Sequence, residues 1–250
     1  MNQMNIKQYL DATYLKTAAQ AGVSENENLK IVKTCIQEAI DQEFKLIMIR
    51  PEMVTFAKEM ITKTKSKVDI GTVIDFPLGN SNKDKKLIEA KKAIEDGAND
   101  LDFVCNYEAF KNGEIALVKN EILSCTRFGI ENNKVVKWII EVAALQPSQI
   151  IQLTALIKNV VIANFKENTF ANIYIKSSTG FYKTENNLPN GATIPTIKMM
   201  IENGFPLSIK ASGGIKSYDE AIQMIQLGVK RIGTSAAKEI ANHQVGENDY

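Results

Sequence analysis

The sequence is poor in the residues that build several common kinds of active site. Its 250 residues include one histidine, one tryptophan and three cysteines, Cys35, Cys105 and Cys125. The lone histidine, His243, lies in a polar terminal stretch, which disfavours a histidine-based triad and a histidine-rich metal centre. The odd number of cysteines, at spacings that match no metal motif, favours thiols buried in a reducing compartment.

Long apolar runs and an excess of charge are also missing. No apolar run reaches the roughly 18 residues that span a bilayer, and the polar, mixed stretch Met1–Leu10 does not resemble a signal peptide. The formal net charge of +1 gives no indication of nucleic acid or a membrane surface as partner. We therefore expect a globular, cytoplasmic protein that binds neither nucleic acid nor a membrane.

Short, β-branched apolar runs alternate along the chain with longer amphipathic stretches. Runs that are nearly continuous in apolar residues are typical of strands covered on both faces. The predicted strands are Gln8–Thr13, Lys45–Ile49, Val68–Ile74, Asp100–Cys105, Val135–Val142, Asn172–Lys176, Leu207–Ala211 and Arg231–Thr234. Eight strand–helix units predict an α/β fold, a (β/α)8 TIM barrel in a single domain over 1–250, with a flexible tail at 241–250. An open doubly wound sheet is the alternative.

Local signals also predict where helices begin. Ser24 followed by Glu27, and Ser217 followed by Glu220, form capping boxes ahead of amphipathic segments. The lysine-rich cluster Lys83–Lys86 is expected to be the solvated start of a further helix.

Several predicted strands carry charged residues. In a TIM barrel the active site lies at the C-terminal ends of the strands, where a charge is costly unless it is paired or used. Lys176 ends the sixth predicted strand, Lys210 lies in the seventh and Asp102 in the fourth. Alternation places Lys137 and Glu141 on one face of the fifth. One such lysine alone is readily explained as a strand-end side chain that reaches solvent, whereas two on consecutive strands are not.

These residue types suit amine catalysis. A lysine is nucleophilic only when neutral, although its free pKa is about 10.4. A second ammonium group nearby, or an apolar pocket, lowers that pKa, so Lys210 is predicted to activate Lys176. A carboxylate such as Asp102 can move the protons that the later steps require. The residues thus predict an aldolase that forms a Schiff base on Lys176.

A second signal follows the last two predicted strands. Ser212–Ile215, which reads Ser-Gly-Gly-Ile, follows the seventh strand, and Gly233–Ser235, which reads Gly-Thr-Ser, lies at the end of the eighth. Loops at these positions of a TIM barrel commonly bind phosphate, because glycines let backbone N–H groups approach the anion. A phosphorylated substrate is therefore expected.

Several motifs occur in an order and spacing that fit one known family. They are Leu10–Thr13, Phe76–Gly79, Glu89–Ala90, Gly97–Val104, Lys137–Glu141, Ile175–Phe181, Gly191–Thr193, Ile209–Ile215 and Arg231–Ser235. On these motifs the chain resembles the deoxyribose-phosphate aldolases over nearly its whole length. The motifs around Lys176 and Lys210 are highly specific when taken together.

The resemblance implies a metal-independent lyase without a cofactor. Such an enzyme reversibly cleaves 2-deoxy-D-ribose 5-phosphate to D-glyceraldehyde 3-phosphate and acetaldehyde. A homodimer is also expected. Lys176 matches the Schiff-base lysine, Lys210 the second lysine and Asp102 the proton-relay carboxylate. The implied substrate-binding residues are Asp11, Thr13, Lys137, Thr179, Gly180, Gly213, Gly214, Gly233 and Ser235. Some members end in a tyrosine that assists proton transfer, which makes the terminal Tyr250 a candidate for that role.

Three residues differ from the pattern of this family, and the differences concern phosphate affinity and aldehyde tolerance more than amine chemistry. Met48 stands where many members have cysteine, Phe181 where some have lysine, and Ala236 where a second serine is common. Two other functions remain open at this point. They are a phosphate-binding barrel isomerase, which would not need Lys176 beside Lys210, and a non-catalytic sugar-phosphate sensor.

Overall fold

Eight parallel strands close into a barrel in the computed structural model, which describes residues 4–185 and 188–246. Each strand pairs with the next one along the chain, and the first pairs with the eighth. The strands are β1 (Leu10–Tyr14), β2 (Leu46–Ile49), β3 (Asp69–Ile74), β4 (Asp100–Val104), β5 (Val135–Ile139), β6 (Ile173–Lys176), β7 (Ser208–Ser212) and β8 (Arg231–Thr234). The predicted (β/α)8 barrel is confirmed, and the open sheet is excluded.

Helices connect the strands and pack against the barrel. The α-helices of the described ranges are α1 (Ala18–Ala21), α2 (Glu25–Gln42), α3 (Val54–Thr64), α4 (Lys83–Asp96), α5 (Tyr107–Lys111), α6 (Ile115–Glu131), α7 (Pro147–Asn164), α8 (Ile194–Gly204), α9 (Tyr218–Leu227) and α10 (Ala237–Ala241). Short 3-10 helices span Ile6–Tyr9, Pro51–Met53, Val142–Ala144 and Glu167–Asn172. Over the residues that the structure describes, no helix is both long and apolar enough to cross a membrane.

Both predicted capping boxes are present. The Ser24 side chain accepts a hydrogen bond from the Glu27 N–H while the Glu27 carboxylate accepts one from the Ser24 N–H, and Ser217 and Glu220 repeat the arrangement. These reciprocal bonds satisfy N–H groups that the first helical turn leaves without partners. Helices α2 and α9 therefore begin directly after the two serines.

Two strand boundaries differ from the prediction by two residues or more. Strand β1 begins at Leu10 because Ile6–Tyr9 forms a 3-10 helix. Strand β5 ends at Ile139, and the backbone of Glu141 adopts the left-handed region with φ 53°. The expectation that Glu141 shares a strand face with Lys137 is therefore wrong, because the chain turns before alternation reaches Glu141.

The barrel interior is divided into an apolar half and a charged half. Leu15, Leu46, Met48 and Val73 form a separate apolar cluster, with Phe76 and Phe181 packed against it. These residues come from β2 and β3 and from the loops after β1, β3 and β6. The main apolar core lies between the barrel and its helices, where the fully buried Trp138 stacks on Phe103 with ring centroids 5.2 Å apart.

The stretch after α10 contacts the rest of the chain as far as it is described. The His243 ring stacks on Tyr218 at 3.8 Å, and the Gly246 N–H donates to the Lys216 carbonyl at 2.9 Å. Tyr250, the predicted proton relay, lies outside the described residues.

Lys86 corrects the expectation that Lys83–Lys86 is solvated. Its side chain is fully buried, and Nζ donates to the carbonyl oxygens of Gly79 at 2.9 Å and Val104 at 2.7 Å. The Glu121 carboxylate lies 3.0 Å away, and that of Asp75 lies 3.4 Å away. Lys86 is the fourth residue of α4 and faces the barrel, so it joins the loop after β3, the end of β4 and helix α6.

Replacing Lys86 by Met should strongly destabilise the fold. The change leaves the buried Glu121 carboxylate without its compensating charge, which typically costs about 3–5 kcal/mol. The free energy of unfolding from urea titration measures the effect. The matched control is Lys85→Met, an exposed position on the same helix, where a change within about 0.5 kcal/mol is expected. Equal stability of the two variants would show that the buried ion pair contributes nothing.

Candidate active site

Strand register brings charged side chains from four consecutive strands to one side of the barrel interior. Asp102 on β4 is paired with Lys137 on β5, and Lys176 on β6 is paired with Lys210 on β7. Paired residues of parallel strands project to the same face of the sheet. The four side chains therefore converge inside the barrel, where each is almost completely buried.

Asp102 is the carboxylate that all three lysines contact. Its Oδ2 accepts from Lys176 Nζ at 3.0 Å and from Lys210 Nζ at 2.9 Å, and its Oδ1 accepts from Lys137 Nζ at 2.8 Å. Burial alone would raise the pKa of Asp102, but the three ammonium groups hold it well below the usual range. Asp102 is thus an ionised carboxylate in the resting site.

The lysines differ in their readiness to lose a proton. Burial lowers the pKa of Lys176 to about 8, and Lys210 and Lys137 add to the effect while Asp102 opposes it. Roughly a tenth of Lys176 is therefore neutral at pH 7. Burial also disfavours the charge on Lys137, but Asp100 and Asp102 outweigh it and raise the Lys137 pKa, so Lys137 remains a cation.

A second layer of charge lies next to Lys210. The Asp11 carboxylate lies 2.6 Å from Lys210 Nζ and accepts from Arg231 Nε at 2.7 Å. Arg231 also lies 3.3 Å from Asp100. Asp11 is fully buried and serves here as a partner for cations. Its predicted contact with substrate hydroxyl groups stays a prediction.

Close contacts between neighbouring segments explain two of the predicted glycines. A Cβ on Gly233 would lie 2.4 Å from Ser212 Oγ and 3.1 Å from Lys210 Cε, so a side chain there would displace the second lysine. A Cβ on Gly213 would lie 2.9 Å from Gly191 Cα, and Gly213 has φ 87°. Strand β8 and the loop after β7 can therefore approach their neighbours this closely only with glycine at these positions.

The remaining predicted site residues lie around this centre. Thr13 donates to the Asp11 carbonyl at 2.8 Å, and Thr179 donates to the Glu141 carboxylate. Gly180 and Gly214 have positive φ of 81° and 82°. Ser235 is exposed. The structure thus brings Lys137, Lys176 and Lys210 into direct contact with Asp102. It places the other predicted residues on β1, on β8 and on the loops after β6, β7 and β8.

One cavity along the described chain lies away from the lysine cluster. It has a volume of about 560 Å³ and lies beside β1, α2 and α10, with Thr13, Tyr14, Cys35 and Ser235 among its lining residues. Its lining includes the ion pair of Lys238 and Glu38, which is open to solvent, whereas the ion pairs around Asp102 are buried. The buried charges, and not cavity size, therefore indicate where the chemistry takes place.

Sequence reasoning assigned no catalytic or substrate-binding role to four residues of the site. Asp100 and Arg231 join the ion-pair network, Glu141 binds the loop after β6, and Ser212 Oγ is buried with no hydrogen-bond partner among the described residues. Alternation from Lys210 could have identified Ser212, since both face the interior. The part of the chain that the structure describes holds no group of three or more His, Cys, Asp or Glu residues suited to a metal ion.

Comparison with known proteins shows the family of the chain. The profile of the DeoC/LacD family aldolases matches residues 8–238. The chain belongs to this aldolase family. Relatives include a deoxyribose-phosphate aldolase of Thermococcus kodakarensis, 35% identical over 96% of this chain and 97% of the relative. Another, from Streptococcus pneumoniae, is 32% identical over 99% of this chain and 100% of the relative.

Solved structures of the family share the fold. A deoxyribose phosphate aldolase from Aeropyrum pernix, described as having a unique tetrameric structure, has a TM-score of 0.75 and 25% identity. The alignment covers 95% of this chain and 89% of that one. The resemblance inferred from the motifs is thus confirmed at the level of the family.

Replacing Lys210 by Leu should shift the reactivity of Lys176 to higher pH. Lys210 lowers the pKa of Lys176, so its removal should raise the pH of half-maximal imine formation by about one unit or more. The measurement is the pH dependence of borohydride trapping with a small aldehyde. Lys198→Leu, at an exposed position of α8, is the control and should leave the profile in place. An unshifted profile for Lys210→Leu would refute the coupling.

Proposed function

We propose that this chain reversibly cleaves 2-deoxy-D-ribose 5-phosphate to D-glyceraldehyde 3-phosphate and acetaldehyde through a Schiff base on Lys176. The observation that carries the proposal is the buried contact of Lys176 and Lys210 with one oxygen of Asp102, at 3.0 Å and 2.9 Å. Membership of the aldolase family supports the reaction class, and the names of the relatives support the substrate.

The first step is attack of neutral Lys176 on the C1 aldehyde of the open-chain sugar. The burial that lowers the pKa of Lys176 to about 8 supplies the neutral amine near physiological pH. Proton transfer from nitrogen to oxygen gives a carbinolamine, and loss of water leaves a protonated imine. Asp102, in contact with both lysines, is placed to take up and return these protons.

The second step breaks the C2–C3 bond. The proton of the C3 hydroxyl group leaves through water to Asp102, C3 becomes the aldehyde carbon of glyceraldehyde 3-phosphate, and the bonding electrons move into the imine to give an enamine. Since three ammonium groups hold the pKa of Asp102 well below its usual range, Asp102 passes the proton on instead of retaining it. Protonation of the enamine at C2 and hydrolysis of the imine then release acetaldehyde and free Lys176.

The phosphate is assigned to the loops after β6, β7 and β8. Gly213 and Gly214 are successive residues with positive φ, and successive N–H groups in turns of this kind suit an anion. Gly180 also has positive φ, but its N–H donates to Ser178 Oγ at 2.9 Å, so Gly180 shapes the loop around the phosphate. Ser235 and Gly233 complete the predicted set, and Thr179 and Lys137 support it from the barrel side. Phe181 supplies no charge where some relatives have lysine.

Other properties of the enzyme follow as predictions from this function. We expect one catalytic domain over 1–250, a metal-independent reaction, a homodimer, a cytoplasmic location and a role in deoxyribose catabolism, with Tyr250 as an additional proton relay. Light scattering of the purified chain tests the oligomeric state.

Trapping with acetaldehyde and borohydride tests the Schiff base directly. Peptide mapping should find an ethylated lysine at Lys176, and Lys176→Met should abolish both the adduct and turnover of deoxyribose 5-phosphate. Lys183→Met, at an exposed position seven residues later, should retain the adduct. If the wild-type enzyme gives no ethylated Lys176 peptide, Lys176 is not the Schiff-base lysine, and a phosphate-binding isomerase on the same barrel is favoured.

Gly214→Ala tests the phosphate site with a matched control. An added Cβ at Gly214 has open space but φ 82°, and Gly22 at the end of α1 combines open space with φ 68°. Both alanines therefore carry similar backbone strain, but only Gly214 adjoins the proposed phosphate. KM for deoxyribose 5-phosphate should rise about tenfold in Gly214→Ala, as for one lost charged hydrogen bond, while KM for unphosphorylated deoxyribose stays unchanged. A rise for both substrates, or a similar rise in Gly22→Ala, would place the phosphate elsewhere.

A further inference from the structure

The Ser178 hydroxyl group lies within hydrogen-bond distance of two acceptors. Its Oγ is 2.6 Å from the carbonyl oxygen of Asn190 and 2.9 Å from Oε1 of Glu141, and it also accepts from the Gly180 N–H at 2.9 Å. A hydroxyl group has one proton to donate. The shorter contact assigns that proton to the Asn190 carbonyl, which leaves Glu141 Oε1 facing an oxygen that has no proton for it.

The other carboxylate oxygen of Glu141 has its donors. Oε2 accepts from the backbone N–H of Thr179 at 3.2 Å and from the Thr179 hydroxyl group. Thr179 Oγ1 in turn accepts from the Phe181 N–H at 3.0 Å. The hydrogen bonds of this cluster are therefore complete except between Glu141 Oε1 and Ser178 Oγ. One more proton is needed between these two oxygens.

We propose that Glu141 is a positioning residue that carries a proton in the resting enzyme and donates it from Oε1 to Ser178. Ser178 then accepts from Gly180 and Glu141 and donates to Asn190, so one added proton completes all the bonds. Glu141 is 1% exposed, and a buried neutral acid that donates a hydrogen bond avoids the cost of a buried charge.

The surroundings of Glu141 agree with a neutral acid. Burial raises the pKa of Glu141, while hydrogen bonds from Thr179 and Ser178 oppose the rise. The ionisable groups that face it are Lys176 on β6, which favours the carboxylate, and Tyr107 on α5, whose pKa burial and Glu141 raise to about 12. The left-handed backbone at Glu141 directs its side chain toward this loop and away from the face of Lys137.

The proton connects three loops around the proposed phosphate. Glu141 follows β5, Ser178 follows β6, and Asn190 lies just before Gly191, which packs directly on Gly213 after β7. The Asn190 side-chain amide also donates to the Gly180 carbonyl at 3.1 Å. The protonated acid thereby fixes Gly180 and Gly213, two of the glycines to which phosphate binding is assigned. This functional consequence rests on the proposed function, whereas the protonation does not.

Infrared difference spectroscopy tests the proton without substrate. The spectrum of the wild type minus that of Glu141→Gln at pH 7 should contain the C=O stretch of a carboxylic acid. In the Ser178→Ala enzyme the same band should move to higher frequency, because it loses its acceptor. Glu131→Gln, which removes an exposed carboxylate at the end of α6, should show only carboxylate bands. A Glu141 difference spectrum that shows carboxylate bands alone overturns the proposal.

Kinetics of two nearly isosteric variants test the positioning role. Gln can donate to Ser178 and accept from Thr179, as the protonated acid does, so Glu141→Gln should keep kcat and KM within about threefold of wild type at pH 7. Met can do neither, so Glu141→Met should raise KM for deoxyribose 5-phosphate about tenfold or more.

The pH profile separates this role from a general loss of structure. Because the folded protein raises the pKa of Glu141, its contribution is present when it is protonated and is lost as pH rises through the folded pKa. KM of the wild type should therefore rise on the alkaline side, and KM of Glu141→Gln should not. A Gln variant as impaired as the Met variant overturns the proposal. An inactive wild type with the acid band present would refute the proposed function alone.

Discussion

The structure depends on the contact between Asp102 and three lysines in the charged half of the barrel. Together with the layer beside Lys210, the buried network contains three carboxylates, Asp11, Asp100 and Asp102, and four cationic side chains, Lys137, Lys176, Lys210 and Arg231. A buried net charge is costly. The network is balanced when one cation loses its proton, so the fold itself favours a neutral lysine.

The same balance bears on the proposed chemistry. Conversion of neutral Lys176 to a protonated imine returns a positive charge to a network that was balanced without it. Cleavage of the C2–C3 bond discharges that cation into a neutral enamine. An environment that destabilises the extra charge therefore favours bond cleavage, and the apolar half of the barrel, with Met48, Phe76 and Phe181, limits how far water can screen it. The division of the interior thus serves both the activation of the amine and the use of the imine.

The barrel architecture and the central residues of the site could be predicted from the sequence, because both depend on local patterns. Continuous apolar runs defined the strands, capping boxes defined helix starts, and charge inside apolar runs singled out Lys176, Lys210 and Asp102. The rest depends on features that a pattern does not contain. Arg231 joins the site only because the closed barrel places β8 beside β1. Glu141 leaves the expected face because the backbone turns at that residue. Lys86 looked solvated because its cluster is charged, although helix α4 directs that one lysine inward.

The four buried lysines show why Lys176 is the one suited to lose its proton. A lysine ammonium has three donors, and buried donors without acceptors are costly. Lys86 is surrounded by two carbonyl oxygens and a carboxylate within 3.0 Å. Lys137 contacts Asp100 and Asp102, and Lys210 contacts Asp11 and Asp102. Among the described contacts, Lys176 has only Asp102 Oδ2, and it shares that oxygen with Lys210. All four side chains are equally removed from water, so the number of carboxylates and carbonyls around each ammonium decides which amine is released as a nucleophile.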